Sequence, residues 1–220
     1  GARGGTVLPM GGADMKGKTT MLRQIGSFVL LSAICLLALP AAAQAHLVST
    51  GFGPFYDGIT HLALSPDDLL GVLAIALLSG LCGARHGRAV LFTLSATWLV
   101  GGLLGLQIDR EISLPVVNTL SFLVVGGLVA TDRKLPLALV AGLTLALGLL
   151  HGFLNGTAMA QAGGGMLALM GIATGVFVVV ALVTAFVVSL RVAWARVAVR
   201  VAGSWIAAIG LLMLGWALRG

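Results

Sequence analysis

Charge is what this sequence is short of. Asp, Glu, Lys and Arg together make up 9% of its 220 residues, against about 25% in a soluble domain, so the chain cannot clothe a water-facing surface. Cysteine is nearly absent too. Cys35 and Cys82 both lie in apolar stretches and form no CxxC, which excludes a disulfide framework and a zinc finger. No stretch matches a Walker A loop, which excludes direct ATP hydrolysis of that kind. Several serines lie in the apolar stretches, but none stands in a recognisable catalytic motif, so no enzyme activity is expected. Acidic residues are few as well, 7 against 13 Lys and Arg, for a formal charge of +6. The basic residues sit singly or in small groups between apolar runs, with no interleaved aromatics. That placement fits orientation in a bilayer and not nucleic-acid binding.

What is present is apolar: 59% hydrophobic residues and a mean hydropathy of +1.09. The chain is expected to be an integral membrane protein. Residues 1–20, "GARGGTVLPMGGADMKGKTT", lack periodicity and are expected to be an unstructured N-terminal extension. Lys16, Lys18 and Arg23 then precede the apolar run "IGSFVLLSAICLLAL" and "PAAAQA". A basic start, an apolar stretch and the Ala43-Gln44-Ala45 site describe a secretory signal peptide over residues 21–45; an uncleaved first transmembrane helix is the alternative. Cleavage before His46 would leave that residue offering its α-amine and imidazole together.

Six apolar segments follow, approximately 67–84, 88–107, 113–131, 135–156, 165–190 and 197–218, each near the roughly 20 residues a spanning helix needs. The expected fold is all-α: a polytopic membrane protein whose mature part, residues 46–220, is a compact bundle of six transmembrane helices. After His46, Arg85, Arg88, Arg133, Lys134, Arg191, Arg196 and Arg200 fall on the odd-numbered loops, with only Arg110 and Arg219 elsewhere. Odd loops are therefore expected in the cytoplasm and both mature termini in the periplasm of a bacterial inner membrane. Gly148, Gly152 and Gly156 form a GxxxGxxxG stripe, and Gly171 and Gly175 repeat the spacing. Small residues so placed let helix backbones approach in lipid, where water does not drive association.

The polar residues gather at one end of this bundle. In "THLALSPDDLL", Ser65 is an N-cap, Pro66 the first helical residue, and Asp67 and Asp68 fall in the first turn, where carboxylates complement the macrodipole. His61, and Asp57 before it, have no such helix-start explanation. His151 lies deep in an apolar helix, where an ionisable side chain is a functional candidate, and Asn155 shares its face four residues on. The expected depth places His151 and Asn155 near the outer end of the fourth span, level with His61, Asp67 and Asp68, and His46 on the same side. Imidazole suits nickel, copper, zinc or iron, and carboxylates shift the preference toward harder ions. Met159 and Met166 add weak sulfur ligands only if they are not packing residues.

The segment "HLALSPDDLL" resembles the HPxxxxDH signature of the HupE/UreJ family, hydrogenase- and urease-associated nickel/cobalt permeases. "HGFLNG" from His151 to Gly156 is similar to the family's HGxxHG. Leu62, Asp68 and Asn155 stand where the motifs have Pro, His and His. The resemblance implies a permease importing nickel or cobalt for a metalloenzyme, with the metal as transported substrate and no tightly bound cofactor. By position, His61 and Asp67 match the first motif and His151 the second. The full candidate ligand set is His61, Asp67, Asp68, His151, His46 and Asn155. A non-transporting accessory protein that binds metal or a maturing enzyme is the alternative. Expected partners are the metal ion and the bilayer; a homo-oligomer stays open. The orientation has a direct test. A cysteine introduced at Ala162 should react with a membrane-impermeant thiol reagent on intact cells, and one at Arg133 should not; the reverse pattern overturns the orientation.

Overall fold

A computed structural model describes Gly1 and residues 50–219. The signal-peptide expectation over 21–45, the remainder of the 1–20 extension, and His46 lie outside the described residues. Those described form seven helices and no strand: α1 (Pro54–Leu64), α2 (Pro66–Cys82), α3 (Ala84–Gly105), α4 (Pro115–Thr131), α5 (Leu137–Gln161), α6 (Gly165–Ser189) and α7 (Ala193–Ala217). Proline sets most of the starts. Pro54, Pro66 and Pro115 occupy the first helical positions, and Pro136 is the N-cap of α5, where a missing N–H leaves nothing unpaired.

The segments α2 to α7 follow the order of the six expected apolar stretches, although α7 opens at Ala193 instead of 197 and so takes in Arg196, and with three larger differences. First, α1 is an additional helix, set at 76° to α2 across a break at Ser65. Pro66 forces that break, because its ring cannot continue a helix already running through Leu64. Second, the expected loop at 85–87 is absent. Gly83 alone joins α2 to α3 at φ 109°, a conformation that side chains disfavour, and Arg85 and Arg88 open α3. Third, α5 runs to Gln161, beyond the expected end at 156. By length and composition α3, α5, α6 and α7 can each cross a membrane, and the bent pair α1–α2 is a fifth candidate span. The apolar α4 has 17 residues, about 26 Å of rise, slightly short of a hydrocarbon core of about 30 Å.

α2 is the centre of the assembly and packs against each of the other six helices. Val72, Ala74, Ile75, Ala76, Leu78 and Leu81 are all buried on it, the all-round apolar pattern of an enclosed helix. The peripheral helices instead expose large apolar side chains outward, among them Phe92, Leu182, Trp205 and Trp216. A surface that apolar belongs against lipid.

The glycine stripe works as expected. A Cβ on Gly152 would meet the Trp98 backbone of α3, one on Gly156 the Gly102 backbone, and one on Gly105 the Phe153 backbone. α3 and α5 thus touch main chain to main chain. Gly203 and Gly210 bring α7 onto α4, and Gly171 brings α6 onto α1. Gly152→Ala should therefore destabilise the protein by about 1–3 kcal/mol through overpacking. Gly142→Ala, on the same helix but with open space around it, should not. Thermal unfolding in detergent checks this, and equal melting of the two variants would refute the tight α3–α5 contact.

Candidate functional site

Pro66 ends α1 and frees a new N-terminus at α2, so Asp67 and Asp68 stand in a first turn whose amides need no intrahelical partner. α2 begins against the middle of α5. His151 lies ten residues before Gln161, about 15 Å along the axis, because α5 continues beyond its expected end. Histidine and acidic residues do meet, but deeper along α5 than the rim the sequence suggested.

The meeting is direct. Asp68 Oδ1 lies 2.8 Å from His151 Nδ1, and Asn155 Nδ2 donates to Asp68 Oδ2 at 2.8 Å. The same amide nitrogen donates to the His151 carbonyl at 2.9 Å, so both carboxylate oxygens and both amide protons are engaged. His151 is 1% exposed, and its ring stacks on Trp98 with centroids 5.7 Å apart. Gly71, one turn past Asp68, lies against the ring: a Cβ there would be in ordinary contact, 3.6 Å from the imidazole.

On the far side of the ring, His151 Nε2 is 3.3 Å from Ser121 Oγ. Asp68, His151 and Ser121 thus have the connectivity of a hydrolytic triad. The direction of the hydroxyl argues against that chemistry. Ser121 donates its only proton to the Asn118 carbonyl of its own helix at 2.6 Å, so it has none to give the ring across the longer contact.

A cavity of about 120 Å³ opens beside the network, lined by His61, Asp67, Asp68, Asn155, Asn118 and Glu111 among others. It has room for several waters or a small ion keeping part of its hydration shell. Asn118 Oδ1 and Asn155 Oδ1 are buried there without a hydrogen-bond partner. Unpaired buried acceptors are uncommon, and amide oxygens beside carboxylates suit a divalent cation. His61 is buried with Nε2 3.3 Å from Ser65 Oγ, so Ser65 holds the N-cap position of α2 without a side-chain cap.

The structure thus brings Asp68, His151 and Asn155 into contact, and puts His61 and Asp67 on the wall of the adjoining cavity. Among the described residues no three His, Cys, Asp or Glu side chains converge as a ready cage for an ion. Asp57 stands apart, accepting from the Thr50 amide and hydroxyl at 2.6 Å each. Met159 is fully buried in the core and Met166 is exposed. His86, in the first turn of α3, contacts the Leu135 carbonyl at 3.1 Å. Sequence reasoning missed Glu111, Asn118 and Ser121. Glu111 had a signal, as an acidic residue in the outer "DRE" connection; Asn118 and Ser121 had only their three-residue spacing in an apolar helix.

A family model described as "HupE / UreJ protein" matches residues 34–213. No curated protein and no solved structure matches the chain. The geometry separates two adjacent carboxylates. Asp68→Ala strands two buried donors and should destabilise the fold by about 3 kcal/mol, whereas Asp67→Ala, which leaves that network intact, should cost under about 1 kcal/mol. Chemical unfolding of the two variants in detergent measures the difference, and a larger loss for Asp67→Ala would contradict the assignment.

Proposed function

The chain belongs to the HupE/UreJ family, and from that premise we propose that it is a permease importing a divalent transition metal, nickel or cobalt, from periplasm to cytoplasm. In this reading it is a six-span protein of the bacterial inner membrane, with both mature termini periplasmic, and the metal serves the maturation of a urease or hydrogenase. One observation carries the proposal: the buried Asp68–His151–Asn155 network borders a cavity that His61 and Asp67 also line.

The side chains divide the work by chemistry. His61 and Asp67, on the cavity wall, receive the ion first, with His46 assisting from the mature N-terminus. Asp68 and His151 then take the ion by giving up their mutual contact, and Asn155 and Asn118 offer amide oxygens. Mixed imidazole and oxygen ligands that are not preassembled favour passage over storage, since tight closed coordination traps an ion. Asp68 and Asn155 at the two motif positions add oxygen donors where the family has imidazole, a change toward harder ions. The Ser121 hydroxyl, turned to its own helix, supports transport and not hydrolysis.

A second reading, metal binding without conduction, draws on the segment beneath the network. Val72, Ile75 and Leu78 are buried and apolar, and the next polar groups along α2 are Ser79 and its neighbour Thr184. Uptake separates the two. His151→Ala and Asp67→Ala should each abolish accumulation of radiolabelled nickel or cobalt in metal-starved cells at normal protein levels, and Ser121→Ala should retain most of it. Metal bound by the purified protein without any uptake would favour the accessory reading. Normal uptake by His151→Ala would defeat the site.

A further inference from the structure

At the other end of α2 from Asp68, the walls of α3 and α6 enclose a second cavity of about 510 Å³, within the roughly 300–1,000 Å³ of ligand sites. Both walls grade in the same direction. On α3, Arg88 is followed one turn on by Leu91; on the other wall Arg191, just past the end of α6, and Ser189 give way inward to Val188 and Val180. Thr184 lies in the floor, but its hydroxyl is committed to the Ala76 carbonyl at 3.3 Å and to Ser79. No carboxylate lines the cavity. Among the described residues the ion pairs are His151–Asp68 and Arg196–Asp132, so neither Arg88 nor Arg191 has an acidic partner there. Two guanidiniums at the mouth repel a cation, which makes this groove a poor exit for a metal. They suit an anion with an apolar body.

We propose that the groove binds one anionic diacyl phospholipid, with its phosphate held between Arg88 and Arg191 and an acyl chain lying along Leu91, Val188 and Val180. Arginine matches phosphate geometry with paired donors, and basic pockets between spanning helices recognise anionic head groups. The dimensions agree. Val180 to Ser189 covers about 14 Å of helix rise, close to half of the roughly 30 Å hydrocarbon core, so the apolar part matches one leaflet. The site is separate from the metal-handling cavity and stands whether or not the protein transports metal.

Native mass spectrometry of the full chain, purified in detergent and offered phosphatidylglycerol and phosphatidylcholine in equal amounts, tests the assignment. The unaltered protein should retain one phosphatidylglycerol in preference to phosphatidylcholine. Arg88→Gln with Arg191→Gln should lower phosphatidylglycerol retention by about fivefold per arginine removed and leave phosphatidylcholine unchanged. Ala181→Trp, which fills the groove with both arginines intact, should lose the bound lipid, and so keeps the test open should the double variant fail to fold. Excess inorganic phosphate should not displace the lipid. Equal retention of the two lipids by the unaltered protein, displacement by phosphate alone, or an unchanged preference in the arginine variant would overturn the proposal.

Discussion

The Asp68 carboxylate is the group on which the rest of the molecule turns. It is buried, and burial of an unpaired carboxylate is prohibitive, so its place is tolerable only because His151 and Asn155 meet both oxygens. That requirement fixes where α2 starts against α5. It also determines what Pro66 is for: without the break, Asp68 would continue the helix begun at Pro54 and its carboxylate would have no freed N-terminus to stand on. A single buried polar network therefore couples the chain break, the depth of the central helix and the chemistry of the site. Asp132, paired with the half-exposed Arg196 at 2.8 Å, is a contrasting case: an ion pair at the opposite end that ties α4 to α7 without setting the register of anything else.

Much of this was legible in the residues, for physical reasons that differ from element to element. The start of α2 was visible because Ser65-Pro66-Asp67-Asp68 encodes a helix N-terminus locally. The pairing of His151 with Asn155 was visible because four residues make one helical turn. The α3–α5 contact was foreshadowed by the spacing of Gly148, Gly152 and Gly156. Each of these signals is short-range. The break at Ser65 was half legible: Pro66 announced a beginning, but "PFYDGITHLAL", only 11 residues long, is too short to be read as a span that ends there.

Depth and partnership were not legible, because they depend on helices far apart in sequence. Counting along the apolar run ended the helix of His151 at 156, and the five further residues to Gln161 move the imidazole from the rim toward the middle of the helix. Thr157 and Ala158 carry no signal that would have shown this. Ser121 and Asn118 reach the network only because α4 packs on α2, and no pattern within α4 says which of its faces does so. Glu111 fell outside a loop tally that counts only Lys and Arg; its place on the cavity wall comes from the way the α3–α4 connection lies over α5, where the Ile112 amide donates to Thr157 Oγ1 at 3.3 Å.

Two kinds of packing divide the bundle. α3 with α5, and α4 with α7, meet through glycines at close approach, largely against backbone, which leaves little side-chain volume there to rearrange. α2 meets its six neighbours largely through Leu, Val, Ile and Ala side chains, and near its N-terminus also through the polar network. Side-chain contacts can repack where backbone contacts cannot. An ion that competes for Asp68 and His151 would thus act on the helix whose contacts are most replaceable, between pairs whose geometry is fixed. The candidate ligands lie where binding can alter packing, while the glycine seams hold the walls.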